Sequence, residues 1–243
     1  MPMAPVLVRA RLGVVLPGVN TVVEPWFNAV CPRGVRIHAS RMFLANHLTP
    51  EAVVRMDREE GMLAVRQIAS CKPASIAYCC TASSIVQGLE YDNKLAHEIA
   101  EAAGVPATTA TRAIIEALHV LGARRLSIAS PYTKQIDDAE HAFFGAAGFG
   151  ILGSAHLGIA DSFRLAEPDA ASIMNLAMNA WHPDADALLI TCLNLSSHEV
   201  IEALEQSLKK PVVTSTQATL WKALRLAGIN DCIPGYGRLL SEF

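Results

Sequence analysis

Short apolar runs alternate with longer segments of mixed character along almost the whole chain. Residues 12–17, 35–39, 75–80, 125–130, 150–156, 187–192 and 211–214 lack regular polar alternation and read as strands covered on both faces. Between them, residues 50–69, 83–103, 110–121, 134–147, 169–180, 197–209 and 216–227 read as amphipathic helices. The first of these has a defined start, with Thr49 as N-cap and Pro50 at the first helical position. Strand–helix alternation at this spacing predicts parallel sheets with helices on both faces.

The pattern also repeats. Leu12-Gly-Val-Val-Leu-Pro17 is echoed by Leu126-Ser-Ile-Ala-Ser-Pro131, 114 positions later. The run ending in Tyr78-Cys79-Cys80 is echoed by the run ending in Ile190-Thr191-Cys192, and the two cysteines lie 112 positions apart. Two matches in nearly one register imply a duplicated α/β unit with one thiol from each copy. The expected division is a first lobe of residues 1–112 plus 214–243 and a second lobe of residues 113–213.

Composition changes this picture mainly by exclusion. At 243 residues, 51% hydrophobic and 18% charged, the chain has ample material for a core. A net charge of −3 with no basic cluster argues against nucleic acid. No run approaches the roughly 18–20 apolar residues of a membrane span. The initial apolar run is interrupted by Arg9 and Arg11 and is too short for a signal peptide, so a cytoplasmic protein is expected. Its six cysteines then read as reduced thiols, with no metal-ligand spacing among them and no metal expected.

In open α/β sheets, ligands sit beyond the carboxyl ends of the strands. That rule selects Pro17-Gly-Val-Asn20-Thr21, Cys80-Thr81-Ala82-Ser83, Pro131-Tyr132-Thr133 and Cys192-Leu193-Asn194, each read as leading from a strand into a helix. Backbone N–H groups at helix starts suit an anion, and a thiol there is expected to ionise more readily. Ser83, Ser84, Ser196 and Ser197 read as helix-start residues. Gly148-Phe-Gly150-Ile-Leu-Gly153 has the letters of a dinucleotide fingerprint, but it follows a helix and leads into a strand. The fingerprint requires the reverse order, so Gly148 reads as a helix terminator and no nucleotide cofactor is expected.

The same four loops carry a family resemblance that extends over nearly the whole chain. Leu16-Pro-Gly-Val-Asn-Thr-Val-Val-Glu-Pro25, Tyr78-Cys-Cys80, Pro131-Tyr-Thr-Lys134, Cys192 and Pro234-Gly-Tyr-Gly-Arg-Leu-Leu240 resemble the aspartate/glutamate racemase superfamily. Within it they are closest to the branch of maleate cis-trans isomerases and arylmalonate decarboxylases. The resemblance implies two similar α/β lobes about a pseudo-twofold axis, with the active site between them. It assigns Cys80 as a nucleophile and Cys192 as the proton-handling thiol. Asn20 and Tyr132 match substrate-carboxylate positions, and the backbone at Thr81, Ala82, Leu193 and Asn194 matches anion-holding turns. Ser162 stands where the isomerases place a substrate-binding asparagine. The turn Thr81-Ala-Ser-Ser84 is closer to the decarboxylases, whereas Cys80 and the Asn20-Thr21 pair are closer to the isomerases.

The expected activity is therefore a cofactor-independent isomerisation of a small carboxylate or dicarboxylate, maleate to fumarate, through a covalent cysteine adduct. Decarboxylase or racemase chemistry through an enediolate is the alternative. No nucleic-acid or membrane partner is expected, and assembly into a homo-oligomer is left open.

Overall fold

The computed structural model describes residues 7–243. Eight strands form two parallel four-stranded sheets. The first contains β1 (Ala10–Pro17), β2 (Val35–Met42), β3 (Ser75–Tyr78) and β4 (Ala107–Thr109), in the order β2-β1-β3-β4. The second contains β5 (Arg125–Ser130), β6 (Gly150–His156), β7 (Ala187–Ile190) and β8 (Val212–Thr214), in the order β6-β5-β7-β8. The orders are equivalent strand for strand, so the two lobes are copies of one unit. The helices are α1 (Val23–Val30), α2 (Pro50–Met56), α3 (Met62–Ala69), α4 (Thr81–Gln87), α5 (Leu89–Ala103) and α6 (Ala110–Val120). They continue with α7 (Lys134–Ala146), α8 (Ala170–Ala180), α9 (Ile201–Leu208), α10 (Ser215–Leu226) and α11 (Gly237–Glu242).

Central strands are buried on both faces, which explains their unbroken apolar runs: Val14 and Val15 in β1 and Leu188 and Leu189 in β7 are all fully buried. The helix of residues 50–69 starts as expected, with Thr49 Oγ1 accepting from Ala52 N. A π-helical segment, Asp57–Gly61, interrupts it and separates α2 from α3. The expected helix 83–103 is two helices, because Gly88 takes φ +90° between α4 and α5. Helix α11 and strand β4 were not anticipated, and α1 is the helix expected after Pro17–Thr21, for which no bounds were read. At three residues β4 is too short to show a period.

Gly148 takes φ +92° after α7, and Phe149 N closes back on Phe144 O at 3.0 Å. The glycine therefore terminates a helix ahead of β6. Helices α6 and α10 pack on one another between the sheets, joined by an ion pair of Lys222 with Glu116. Ser75 Oγ of β3 donates to Ala223 O of α10 at 2.7 Å. Among the described residues, no helix is long and apolar enough to cross a membrane.

Candidate active site

Strand register places the two cysteines equivalently. Val15 pairs with Tyr78 in the first sheet, and two residues beyond them stand Pro17 and Cys80. Ala129 pairs with Ile190 in the second, and two residues beyond stand Pro131 and Cys192. Both strands end before their cysteines, which leaves each thiol on the loop past the sheet edge. The loops of the two lobes face one cleft with a cavity of about 40 Å³.

All nine sequence-selected residues line that cleft: Cys80, Cys192, Asn20, Thr81, Ala82, Tyr132, Ser162, Leu193 and Asn194. Pro17 and Val19 of the selected Pro17–Thr21 segment also line it, and Leu44, Leu48, Cys79 and Leu165, which complete the lining, were missed by sequence reasoning. Leu44 and Leu48 follow the carboxyl end of β2, so the strand-end rule would have found them. Leu165 lies in a short 3₁₀ turn and carries no sequence signal. Cys79 borders the cleft although its Sγ turns back toward Ala77 O.

Three polar side chains organise the wall. Asn20 Oδ1 accepts from Val22 N at 3.0 Å and Val23 N at 2.9 Å, capping the start of α1. With its oxygen held by two donors, the amide presents Nδ2 as its remaining group, a neutral donor. Asn194 joins the lobes: its Oδ1 accepts from Thr21 N at 2.9 Å, and its Nδ2 donates toward Val19 O and Ser162 O at 3.4 and 3.3 Å. Ser162 Oγ points its proton at Ala45 O and Asn46 O, at 2.9 and 3.1 Å. That hydroxyl ties the second lobe to residues 45–48 and has no second proton for a substrate.

The thiols differ from expectation. Burial pushes both Cys80 and Cys192 up to about 12, outweighing the groups that favour their thiolates. For Cys80 the favouring groups are the hydroxyl and N–H of Ser83, and for Cys192 the N–H of Asn194 and the hydroxyl of Tyr132. Cys80 does sit at the N-cap of α4, but its side chain closes no full capping hydrogen bond. No α-helix directly follows Cys192; a 3₁₀ turn at Ser197–Glu199 precedes α9. Helix starts therefore do not overcome desolvation here. Cys192 adopts φ +83°, a strained value for a side-chain-bearing residue and one that clusters at functional sites.

Buried acids lie behind both thiols. Asp57 accepts from Tyr78, Ser83, Gln87 and Tyr91, and its charge bears on Cys80. Glu140 on α7 is fully buried, with neither carboxyl oxygen hydrogen-bonded, and its charge bears on Cys192 and Tyr132. Burial raises the Glu140 carboxyl well above the ordinary range. Ser83 and Ser84, expected as helix-start residues, lie in the first turn of α4 and direct their hydroxyls to Asp57 and Asp92, at 2.8 and 2.6 Å.

The arylmalonate decarboxylase family model matches residues 13–240, which spans both lobes and the cleft between them. The chain belongs to this family. It is 31% identical over 237 residues to the arylmalonate decarboxylase of Bordetella bronchiseptica, covering 93% of this chain and 97% of that one. It is 26% identical over 245 residues to the maleate isomerase of Geobacillus stearothermophilus, covering 95% and 97%. The maleate cis-trans isomerase of Nocardia farcinica, solved as a cysteine-to-serine mutant with a covalently bound succinylcysteine intermediate, superposes with a TM-score of 0.90. It is 25% identical, and the match covers 96% of this chain and 99% of that one. Family membership makes the chain an enzyme of the isomerase and decarboxylase branch.

Proposed function

We propose that this enzyme isomerises maleate to fumarate, or a close analogue, through a covalent adduct on Cys80. The observation that carries the reading is the pair of thiols, one per lobe, at equivalent register positions on one cleft. The Cys80 thiolate adds to one alkene carbon, and the electron pair moves onto the carboxylate conjugated at the other. Asn20 Nδ2 and the first-turn N–H groups of Thr81 and Ala82 are suited to hold that charge, since first-turn donors have no partner within their helix. Cys192, beside the Tyr132 hydroxyl, delivers a proton to the other alkene carbon, which carries the displaced electron pair. The product is a saturated adduct whose central bond rotates. Return of that proton to Cys192 and loss of Cys80 give the trans alkene. The succinylcysteine seen in the Nocardia farcinica relative supports a covalent route of this kind.

A decarboxylase reading draws on the leucines of the wall: Leu44, Leu48 and Leu165 suit an apolar substituent, and no cation is among the lining residues. In that reaction Cys192 protonates an enediolate left by loss of carbon dioxide, and Cys80 is dispensable. Proton NMR of the pure enzyme with maleate, and separately with phenylmalonate, decides between them. Fumarate is expected from maleate. Cys80→Ser should slow that reaction by about 100- to 10,000-fold. Cys192→Ser soaked in maleate should carry the substrate mass on the peptide containing Cys80. Decarboxylation of phenylmalonate that survives Cys80→Ser, with no fumarate formed, would overturn the isomerase reading.

A further inference from the structure

The wall segment Pro17–Thr21 is held by a residue that the chemistry above does not use. Asn20 N closes a turn on Pro17 O at 2.9 Å, and Val19 O receives Asn194 Nδ2 at 3.4 Å. The other two carbonyls of the turn are taken by Arg41, near the end of β2. Its Nη1 donates to Gly18 O at 3.0 Å and to Asn20 O at 2.9 Å. Nη2 of the same guanidinium pairs with Glu24 on α1, the helix that Asn20 caps. Arg41 itself is not among the residues lining the cleft.

The duplicated unit gives these bonds a counterpart. Leu16 pairs with Arg41 in the first sheet as Ser130 pairs with His156 in the second. Gly18 and Tyr132, each two residues beyond that pair, are therefore equivalent positions. In the second lobe the chain leaving β6 ties down the turn with its own backbone. Gly158 N donates to Tyr132 O at 3.0 Å, and Ile159 N donates to Pro131 O at 2.9 Å. His156, in the place of Arg41, turns instead to Asp137 on α7, 3.4 Å away. In the first lobe the carbonyl equivalent to that of Tyr132 goes to the Arg41 side chain. One guanidinium nitrogen does there what a backbone N–H does in the other lobe.

The direction of these carbonyls matters because a carboxylate is an anion. A peptide carbonyl is the negative end of a dipole, and one turned into the cleft would repel it. Arg41 draws Gly18 O and Asn20 O to a cation outside the cleft lining. With that carbonyl held, and with Asn20 Oδ1 held by Val22 N and Val23 N, Nδ2 is the polar group that Asn20 has left for the cleft. A planar, permanently charged fork is suited to grip two carbonyls and a carboxylate at once. We propose that Arg41 is a positioning residue for the reaction, which sets the carboxylate-holding turn of the first lobe and acts on substrate through Asn20. This role rests on Asn20 holding a substrate carboxylate, as in the reading above, and names what aims it.

Two measurements test it, and the first needs no substrate. Arg41→Met keeps the apolar stem and removes the donors. Amide hydrogen exchange, resolved by NMR, should speed by at least about tenfold at Asn20, Thr21, Val22 and Val23 in this variant. Gly158 and Ile159, in the equivalent turn, should stay within about twofold. Equal acceleration in both lobes, or none in either, overturns the role. The second is a double-substitution cycle in enzyme carrying Cys80→Ser and Cys192→Ser, titrated calorimetrically with maleate and with phenylmalonate. Arg41→Met and Asn20→Ala should each weaken binding by at least about tenfold, and the two together should stay within about twofold of Asn20→Ala alone. Losses that multiply would mean that Arg41 does not act through Asn20, which overturns the role. Glu24→Gln leaves both carbonyl bonds and should bind within about threefold of its parent, since exposed ion pairs contribute little. A loss as large as that of Arg41→Met would assign the effect to the ion pair and overturn the role too. Local acceleration of exchange in an enzyme that binds neither diacid sinks the substrate reading and leaves Arg41 as the residue that sets the turn. Diacid bound equally well by Arg41→Met and its parent sinks the role of Arg41 alone.

Discussion

Asn20 shows how one side chain serves fold and site together. Its oxygen caps α1 while its nitrogen is the donor offered to the cleft. The two uses separate by substitution. Asn20→Ala removes the cap and should cost about 1 kcal/mol, or about 2–4 °C of melting temperature for a chain of this length. Asn20→Asp keeps both acceptor bonds but replaces the donor with an anion, so it should melt near the unmodified enzyme. Both should lose maleate turnover. A thermal melt alongside the NMR assay checks this: an active Asn20→Asp enzyme would show that the amide nitrogen does not hold substrate. Ser162 teaches the opposite lesson, since a residue at a substrate-binding position spends its only proton on Ala45 O and Asn46 O.

At the scale of elements, α7 brings Glu140 behind the second thiol. Burial makes this carboxyl hold its proton to higher pH in the folded state than in the unfolded chain, where the ordinary value is 4.5. The folded state therefore binds more protons above that pH, and its stability falls as pH rises toward the folded value. The slope approaches about 1.4 kcal/mol per pH unit. Glu140→Gln cannot ionise and removes this loss. Urea unfolding at pH 5 and pH 7 should show the variant gaining stability over the unmodified enzyme as pH increases. A constant difference between the two would mean that Glu140 does not hold its proton. The π-helical segment is equally specific, because Gly61→Ala would press on the Tyr78 hydroxyl that anchors Asp57. It should destabilise by about 1–3 kcal/mol in the same measurement.

Across the whole molecule, the cleft exists because two copies of one unit are held face to face. The joints beside the cleft are polar. Asn194 reaches from the second lobe to Thr21 and Val19 in the first, while Leu48 N meets Ala160 O and Ser162 N meets Asn46 O, both at 2.8 Å. Asn194→Ala leaves Thr21 N without its acceptor and should cost about 1–3 kcal/mol of unfolding free energy. If instead stability is unchanged by denaturant titration, the lobes are held by the packing of α6 against α10 and not by the cleft contacts. We propose that the lobes divide near residues 112 and 213, which puts those two packed helices at the seam.

Much of this architecture was legible from local pattern alone. Unbroken apolar strands dictated parallel sheets, and the echo of Leu12–Pro17 in Leu126–Pro131 pointed to duplication because strand period and loop chemistry repeat along the chain. The strand-end rule then reached four loops of the cleft, though not residues 44–48 or the turn at Leu165. Tertiary structure alone decided what those residues experience. Desolvation in the closed cleft raises both thiols, against the lowering expected from helix starts, because burial is a property of neighbours from the other lobe. Asp57 and Glu140 had no sequence signal as site residues. Asp57 lies 23 positions before Cys80, Glu140 lies 52 before Cys192, and only packing brings each carboxyl behind its thiol.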